Sequence, residues 1–300
     1  PLAIEFGFWG FLVWAFYFLT TFYFCIVEPK LKLFEIPVIK YANNLVVITT
    51  CAFTAYLLLR YLPSYIPGIS DPERFGLVAV VILLAAMTST EIRYVKALSV
   101  ASIWLFLALI VSIWLVSGMG ASGLAKSMAE IGSYFKNIHR FVTPITDYHQ
   151  FYLYWWFAWS IMIGQFVSRF VGGLTTRQLL VALLVIPSIP IAIWFSVLYF
   201  YFSHDLEVGK YWRWAMVFVG IIFVINSLDS LIRLYTQNLE MTPNRFGASL
   251  YVAGNWLVLF TLVLLFQLTP LKIEWIGLVV IGIYSVIYSM LIHRRRELRQ

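Results

Sequence analysis

The amino-acid sequence predicts an all-α polytopic membrane protein. Of its 300 residues, 62% are hydrophobic and only 12% charged, where an ordinary soluble domain carries about 25% charged residues. Mean hydropathy is +0.86, and apolar runs of bilayer length recur along the whole chain. These observations exclude a water-soluble enzyme, a nucleic-acid binder and a disordered protein. Rings are also abundant: 25 Phe, 18 Tyr and 12 Trp make up 18% of the residues.

Crossing about 30 Å of hydrocarbon at about 1.5 Å per residue takes roughly 20 apolar residues. Nine runs qualify, at 7–27, 43–62, 75–92, 97–118, 150–172, 178–203, 212–236, 247–268 and 273–293. Breakers divide them: Pro29 and Pro37, then Pro63, Pro67, Gly68 and Pro72, then Pro243, and finally Pro270. The chain opens at Pro1 without a basic n-region or a small-residue cleavage site, which is not a signal peptide; a processed or truncated start is expected. Cys25 and Cys51 lie inside apolar runs with no spacing that suggests a metal site or a disulfide framework.

Nine spans place the termini on opposite sides. With the N-terminus outside, 13 of the 21 Lys and Arg fall on the inner side, while Asp71, Glu73, Asp205, Glu207 and Glu274 fall on the outer one. The positive-inside rule therefore selects N-out, C-in. The cluster Arg294, Arg295 and Arg296 reads as a stop-transfer anchor near anionic lipid headgroups, or as a specific lipid or regulatory contact.

The segment 119–149 exceeds a simple connection. Leu124, Met128, Ile131, Phe135 and Ile138 recur at three- and four-residue steps, with Lys126, Glu130, Lys136 and Arg140 between them. This pattern predicts an amphipathic helix of about four turns. It either lies in the outer interface or packs across helix ends as a connector.

No soluble-type catalytic constellation is present. His139, His149, His204 and His293 lack helical spacing to a carboxylate or Cys, which argues against zinc and triad chemistry, and there is no P-loop or dinucleotide fingerprint. Two aromatic groups stand out instead. The first span carries Trp9, Gly10, Trp14 and Tyr17, with Trp14 and Tyr17 neighbours at three residues. The fifth carries Tyr154, Trp155, Trp156 and Trp159. Single Trp residues collect at membrane interfaces, but rings converging from two helices at several depths offer π faces to a cation without hydrogen-bond donors, at about 0.5–2 kcal/mol each.

Trp155-Trp156-Phe157-Ala158-Trp159-Ser160, continuing through Gly164, Phe166, Arg169 and Thr175-Thr176-Arg177, resembles the signature helix of the betaine/carnitine/choline transporters. The Trp9 to Tyr17 pattern is similar to that family's fourth transmembrane helix. Ala86 to Ser99 resembles its junction of helices six and seven, Ile131 to Tyr134 its amphipathic segment, and Asn226 to Ser230 a motif of its tenth helix. The resemblance implies helices four to twelve of a five-plus-five inverted-repeat transporter core, with the first core helix, family helix three, absent. It divides the chain into the rest of the first repeat (1–118), the amphipathic connector (119–149), the second repeat (150–293) and a basic cytoplasmic tail (294–300).

By matching positions, the resemblance implies that Trp9, Trp14, Tyr17 and Trp156 form an aromatic box around an onium group, with Trp159 and Phe166 along the inward route. Trp155 is expected to pack elsewhere. Leu153 and Ile161 stand where the family often has Trp and Pro. Phe223, Asn226 and Ser227 occupy the positions of the family's Na+ site; an Asn carbonyl is able to ligate a hard cation, and proton coupling or ion-free exchange stay open. Asp229 is a functional candidate by its intramembrane location, or a hydrogen-bonded packing residue. The function implied is secondary transport of a small quaternary ammonium or related onium solute (betaine, choline or carnitine type) across a bacterial inner membrane by alternating access. No enzymatic chemistry and no cofactor beyond Na+ or H+ is expected. A homotrimer is implied, and another chain or a missing N-terminal segment would supply the absent helix. The alternative is a transporter-derived structural or sensory subunit without transport.

Overall fold

The structure is a computed structural model that describes residues 2–137, 139 and 147–294, with only the backbone given for 147 and 148. The expectations placed on Pro1, Ile138, Arg140, Arg295, Arg296 and Arg299 lie outside the described residues. The long helices are α1 (Leu2–Ile26), α2 (Pro37–Tyr65), α3 (Asp71–Thr88), α4 (Ile92–Val116), the shorter α5 (Ala121–Ile131), α6 (Asp147–Val167), α7 (Thr176–Ser203), α8 (Lys210–Asn238), α9 (Ala248–Leu268) and α10 (Ile273–His293). There is no strand among the described residues.

Seven of these, α1, α2, α4, α7, α8, α9 and α10, are long and apolar enough to cross a membrane. The remaining two expected spans are helical but less apolar. α3 has Asp71, Glu73 and Arg74 in its first turn, and α6 carries Asp147, His149, Gln150 and Gln165 beside three Trp and three Tyr, which lower its hydropathy. The exposed face of α4, including Ile103, Trp104, Val111 and Leu115, is the surface such a helix presents to lipid.

Local chemistry moves several boundaries. Ser70 and Glu73 form a capping box, and Pro72 sits in the first turn, where a missing N–H costs nothing. Pro72 therefore starts α3 rather than ending a loop, and α3 and α4 run about four residues earlier than expected. Pro63 likewise lies inside α2, close to its end. The run at 178–203 divides into Thr176–Val185 and Ser188–Ser203 around Pro187, with Thr175 and Gln178 forming the capping box at its start.

The main core lies where α2, α3, α8 and α9 pack, around Val47, Leu59, Ile82, Leu228, Ile232 and Leu259, all essentially inaccessible. Hydrocarbon tails are as apolar as these side chains, so van der Waals fit, not water exclusion, holds such helices together. Close approach matters accordingly. α6 lies between α1 and α10, and the Ser160 and Tyr284 hydroxyls bond across to α10.

The connector also departs from expectation. Its helix runs three turns to Ile131, breaks at Gly132, and resumes for one turn at Ser133–Lys136. Ile131 packs with Leu2 and Phe6 of α1 and Ala192 of α7. The Tyr134 ring occupies the space of a Gly7 side chain, 2.0 Å from where a Cβ would stand. The segment thus packs on the start of α1 and on the second part of α7, with Phe135 half exposed.

Candidate functional site

α1 is not a uniform α-helix. Gly7–Leu12 is π-helical, with hydrogen bonds reaching five residues ahead. At about 100° per residue Trp9 and Trp14 would point about 140° apart; the wider turn brings residues five apart toward one face. Both rings line the same cavity of about 950 Å³, whose walls also include Tyr61, Phe106, Trp194 and Phe223.

The four box residues meet. Trp9 and Trp156 pack edge to face at 4.9 Å between centroids and 88°. Tyr17 lies 6.4 Å from Trp156 and 5.3 Å from Trp14, again edge to face. Trp9 and Trp14 face the cavity, while Tyr17, 4% exposed, and Trp156 stand behind them. Trp155 joins the group, at 4.7 Å from Trp156, and Trp159 follows at 6.2 Å from Trp155. The indole N–H groups of Trp155, Trp156 and Trp159 are buried without a hydrogen-bond partner. Phe166 stands apart, paired with Phe170 at 5.0 Å.

The sequence reading missed Glu5 and His149. The Trp9 indole donates to the Glu5 carboxylate at 3.2 Å. The other Glu5 oxygen lies 3.4 Å from His149 Nε2, and the His149 ring packs against Phe8 at 5.2 Å. His149 therefore does meet a carboxylate, 144 positions away, which no helical spacing reveals. The ring cluster thus has one acid a single hydrogen bond from Trp9.

The ion-site positions divide between two environments. Phe223 packs on Phe106 at 5.6 Å and faces the apolar cavity. The Asn226 carbonyl accepts from Ser99 of α4 at 2.8 Å, and Ser227 follows on α8. Asp229 is inaccessible to solvent and accepts from Thr88 of α3 at 3.2 Å and from Ser230 at 3.2 Å. Asp229→Asn keeps an acceptor for Thr88 and is expected to leave thermal unfolding of the purified protein nearly unchanged. Asp229→Ala removes the acceptor of Ser230, while the Thr88 hydroxyl keeps the Leu84 and Ala85 carbonyls within reach, and is expected to cost about 1 kcal/mol. An Asn variant with intact stability and no transport would make this carboxylate a proton carrier instead.

A helical membrane protein with an aromatic cluster opening on an apolar cavity is the class these observations define. A model of the betaine/carnitine/choline family transporter matches residues 47–201, just over half of the chain, and the chain belongs to that family, whose members are transporters. Trp156, Trp159 and Phe166 fall within the match; Trp9, Trp14, Tyr17 and the α8 positions lie outside it. The chain is 30% identical over 135 residues to an uncharacterized transporter of Haemophilus influenzae, covering 41% of this chain and 20% of that protein. It is 31% identical over 101 residues to glycine betaine transporter 1 of Vibrio parahaemolyticus, covering 30% and 19%. With the glycine betaine transporter OpuD of Bacillus subtilis it shares 36% over 78 residues, covering 22% and 15%. The matched stretches thus span a fifth or less of these relatives' own lengths.

Proposed function

We propose that the full-length protein is a secondary transporter of small onium solutes of the glycine betaine type, binding them at the box of Trp9, Trp14, Tyr17 and Trp156. The observation that carries this reading is the contact of these four rings, from α1 and α6, with two of them facing a 950 Å³ cavity. A trimethylammonium group cannot donate hydrogen bonds and is recognised by π faces, each contributing about 0.5–2 kcal/mol. Glu5, one hydrogen bond from Trp9, adds negative charge at the outer edge. Relatives named as glycine betaine transporters support the same solute class.

In this reading the nine helices from α1 to α10 other than α5 belong to a five-plus-five inverted-repeat core, the α5 segment joins its two parts, and the chain lies N-out, C-in in a bacterial inner membrane. Solute moves by alternating access, passing Trp159 and Phe166 on the inward side. Phe223, Asn226 and Ser227 hold the coupling Na+, or H+ serves in its place. Reconstituted full-length protein is expected to accumulate labelled glycine betaine in proteoliposomes, driven by an inward Na+ or H+ gradient. Binding without flux under either gradient would support the non-transporting subunit instead, and neither binding nor flux would overturn the onium reading.

A further inference from the structure

Glu5 and His149 tie the ring cluster to charge. Glu5 precedes Trp9 by four residues on α1, a spacing that brings two side chains together on one helix face. Leu2 and Phe6, on another face of the same turns, pack with Ile131 of the connector and Ala192 of α7, so the start of α1 is anchored. From the start of α6, His149 brings Nε2 to 3.4 Å from one carboxylate oxygen, while the other oxygen accepts from the Trp9 indole at 3.2 Å. Both oxygens of Glu5 are thus engaged, and one α1 side chain links Trp9 to α6. The Glu5 side chain is 34% exposed and that of His149 11%, so solvent screens the field of this carboxylate only in part.

Two effects of this arrangement act on a cation at Trp9. An indole N–H that donates to a carboxylate is polarised by it, which enriches the π face in electrons. The carboxylate also attracts, through space, a cation held within about 6 Å of the ring centroid. Both effects oppose an anionic group at the same place. The cavity that Trp9 faces offers little to compensate. Among the described residues its lining holds no Lys, Arg, His, Asn or Gln, and apart from the indoles its polar side-chain groups are the Tyr61 and Tyr65 hydroxyls. Arg169 and the amides of Asn43, Asn44 and Gln165 line a separate cavity of about 620 Å³, at the far ends of α1 and α6 from Glu5 and His149. A carboxylate carried into the apolar lining would lose its hydration with few donors in exchange, whereas a hydroxyl or a neutral amide loses far less.

We propose that Glu5 is a specificity-determining residue: fixed between Trp9 and His149, its carboxylate tunes the Trp9 face toward onium solutes of net positive charge and against zwitterions. His149 is a positioning residue that holds Glu5 at the edge of the ring. The proposal rests on the transport reading and names, for the same site, the charge class of the preferred solute, an onium alcohol or amide over an onium carboxylate. Specificity is a difference of affinities, and a repulsive element contributes to it as much as an attractive one. Here the like charges of Glu5 and a solute carboxylate are that element.

The test is displacement of labelled choline from the full-length protein by two competitors of the same shape, glycine betaine and its amide, which differ in carrying a carboxylate or a neutral group. The wild type is expected to bind choline and the amide more tightly than glycine betaine. Glu5→Gln keeps an acceptor for the Trp9 indole and removes the charge. It is expected to weaken choline and the amide by about threefold to tenfold and to leave glycine betaine unchanged or tighter. His149→Ala is expected to move the amide-to-betaine ratio in the same direction, and His149→Gln, which retains an N–H donor, to restore it. A wild type that binds glycine betaine more tightly than its amide overturns the proposal, as does an amide-to-betaine ratio that is the same in Glu5→Gln as in the wild type. In either case a loss of all three ligands in Trp156→Ala leaves the box standing without Glu5. Equal weakening of all three in Glu5→Gln would mean that Glu5 only supports Trp9, and likewise overturns the proposal. If none of the three binds the wild type, the transport reading fails and the role of Glu5 with it.

Discussion

Trp156→Ala is expected to abolish uptake of labelled glycine betaine by the full-length protein and to weaken its binding at the box by about tenfold to a hundredfold. Trp156 stands at the junction of the cluster, with Trp9 on one side, Trp155 on another and Tyr17 beyond. Removing it takes away the ring that supports the cavity-facing pair from behind. It also releases Trp9, whose edge-to-face contact is of a kind that contributes about 0.5–1.5 kcal/mol. Trp14→Leu removes a cavity-facing ring without touching that junction and is expected to give a smaller loss of affinity. Trp156→Phe keeps a ring and most of the contacts, and should retain measurable binding. Because a large-to-small change also costs stability, about 3–5 kcal/mol for a buried Trp, binding is read only on variants that elute as the wild type does. Unaltered affinity in both Trp156→Ala and Trp14→Leu would remove the box.

Local periodicity and composition made part of this legible in the sequence. Each of the nine runs holds a helix, and seven of these helices are long and apolar enough to cross a membrane among the described residues, because a span is a local property of about 20 residues. The α10 run at 273–293 coincides with Ile273–His293. Where the boundaries slipped, at α3, the cause was a capping box written in four residues, Ser70 to Glu73. Family resemblance singled out the residues proposed for the box, but their phase was not legible: a 3.6-residue period cannot place Trp9 and Trp14 on one cavity when the turn between them is π-helical. Long-range pairs were invisible for a different reason. Glu5 with His149, Asp229 with Thr88 and Asn43 with Gln165 are brought together by tertiary packing alone, and no spacing within one helix encodes them. The deeply buried polar residues offered one signal, since Asn43 and Asn44 interrupt an otherwise apolar helix, but nothing in the sequence says that they face a cavity.

Gly164→Leu is expected to destroy solute binding without touching the solute. α1 and α6 carry the two halves of the box, and they cross where a Gly164 Cβ would stand 2.8 Å from the backbone carbon of Thr20 and 2.9 Å from the Phe24 ring. A ring at the end of a side chain swings away, but backbone does not, so any side chain here drives the helices apart. Ala is expected to cost about 1–3 kcal/mol, the usual range for an overpacked site, and to lower affinity only modestly. Leu adds three further carbons at the same point and is expected to cost more than Ala, separating Trp14 and Tyr17 from Trp156 by displacement of α1 as a unit. Thr20 cannot yield easily, because its hydroxyl is bonded back to Phe16 and Tyr17 within its own helix. Thermal unfolding and glycine betaine binding measured together on Gly164→Ala and Gly164→Leu check this, with both falling in that order. A Leu variant as stable as the wild type and binding as tightly would mean that this crossing does not set the distance between the two halves of the box.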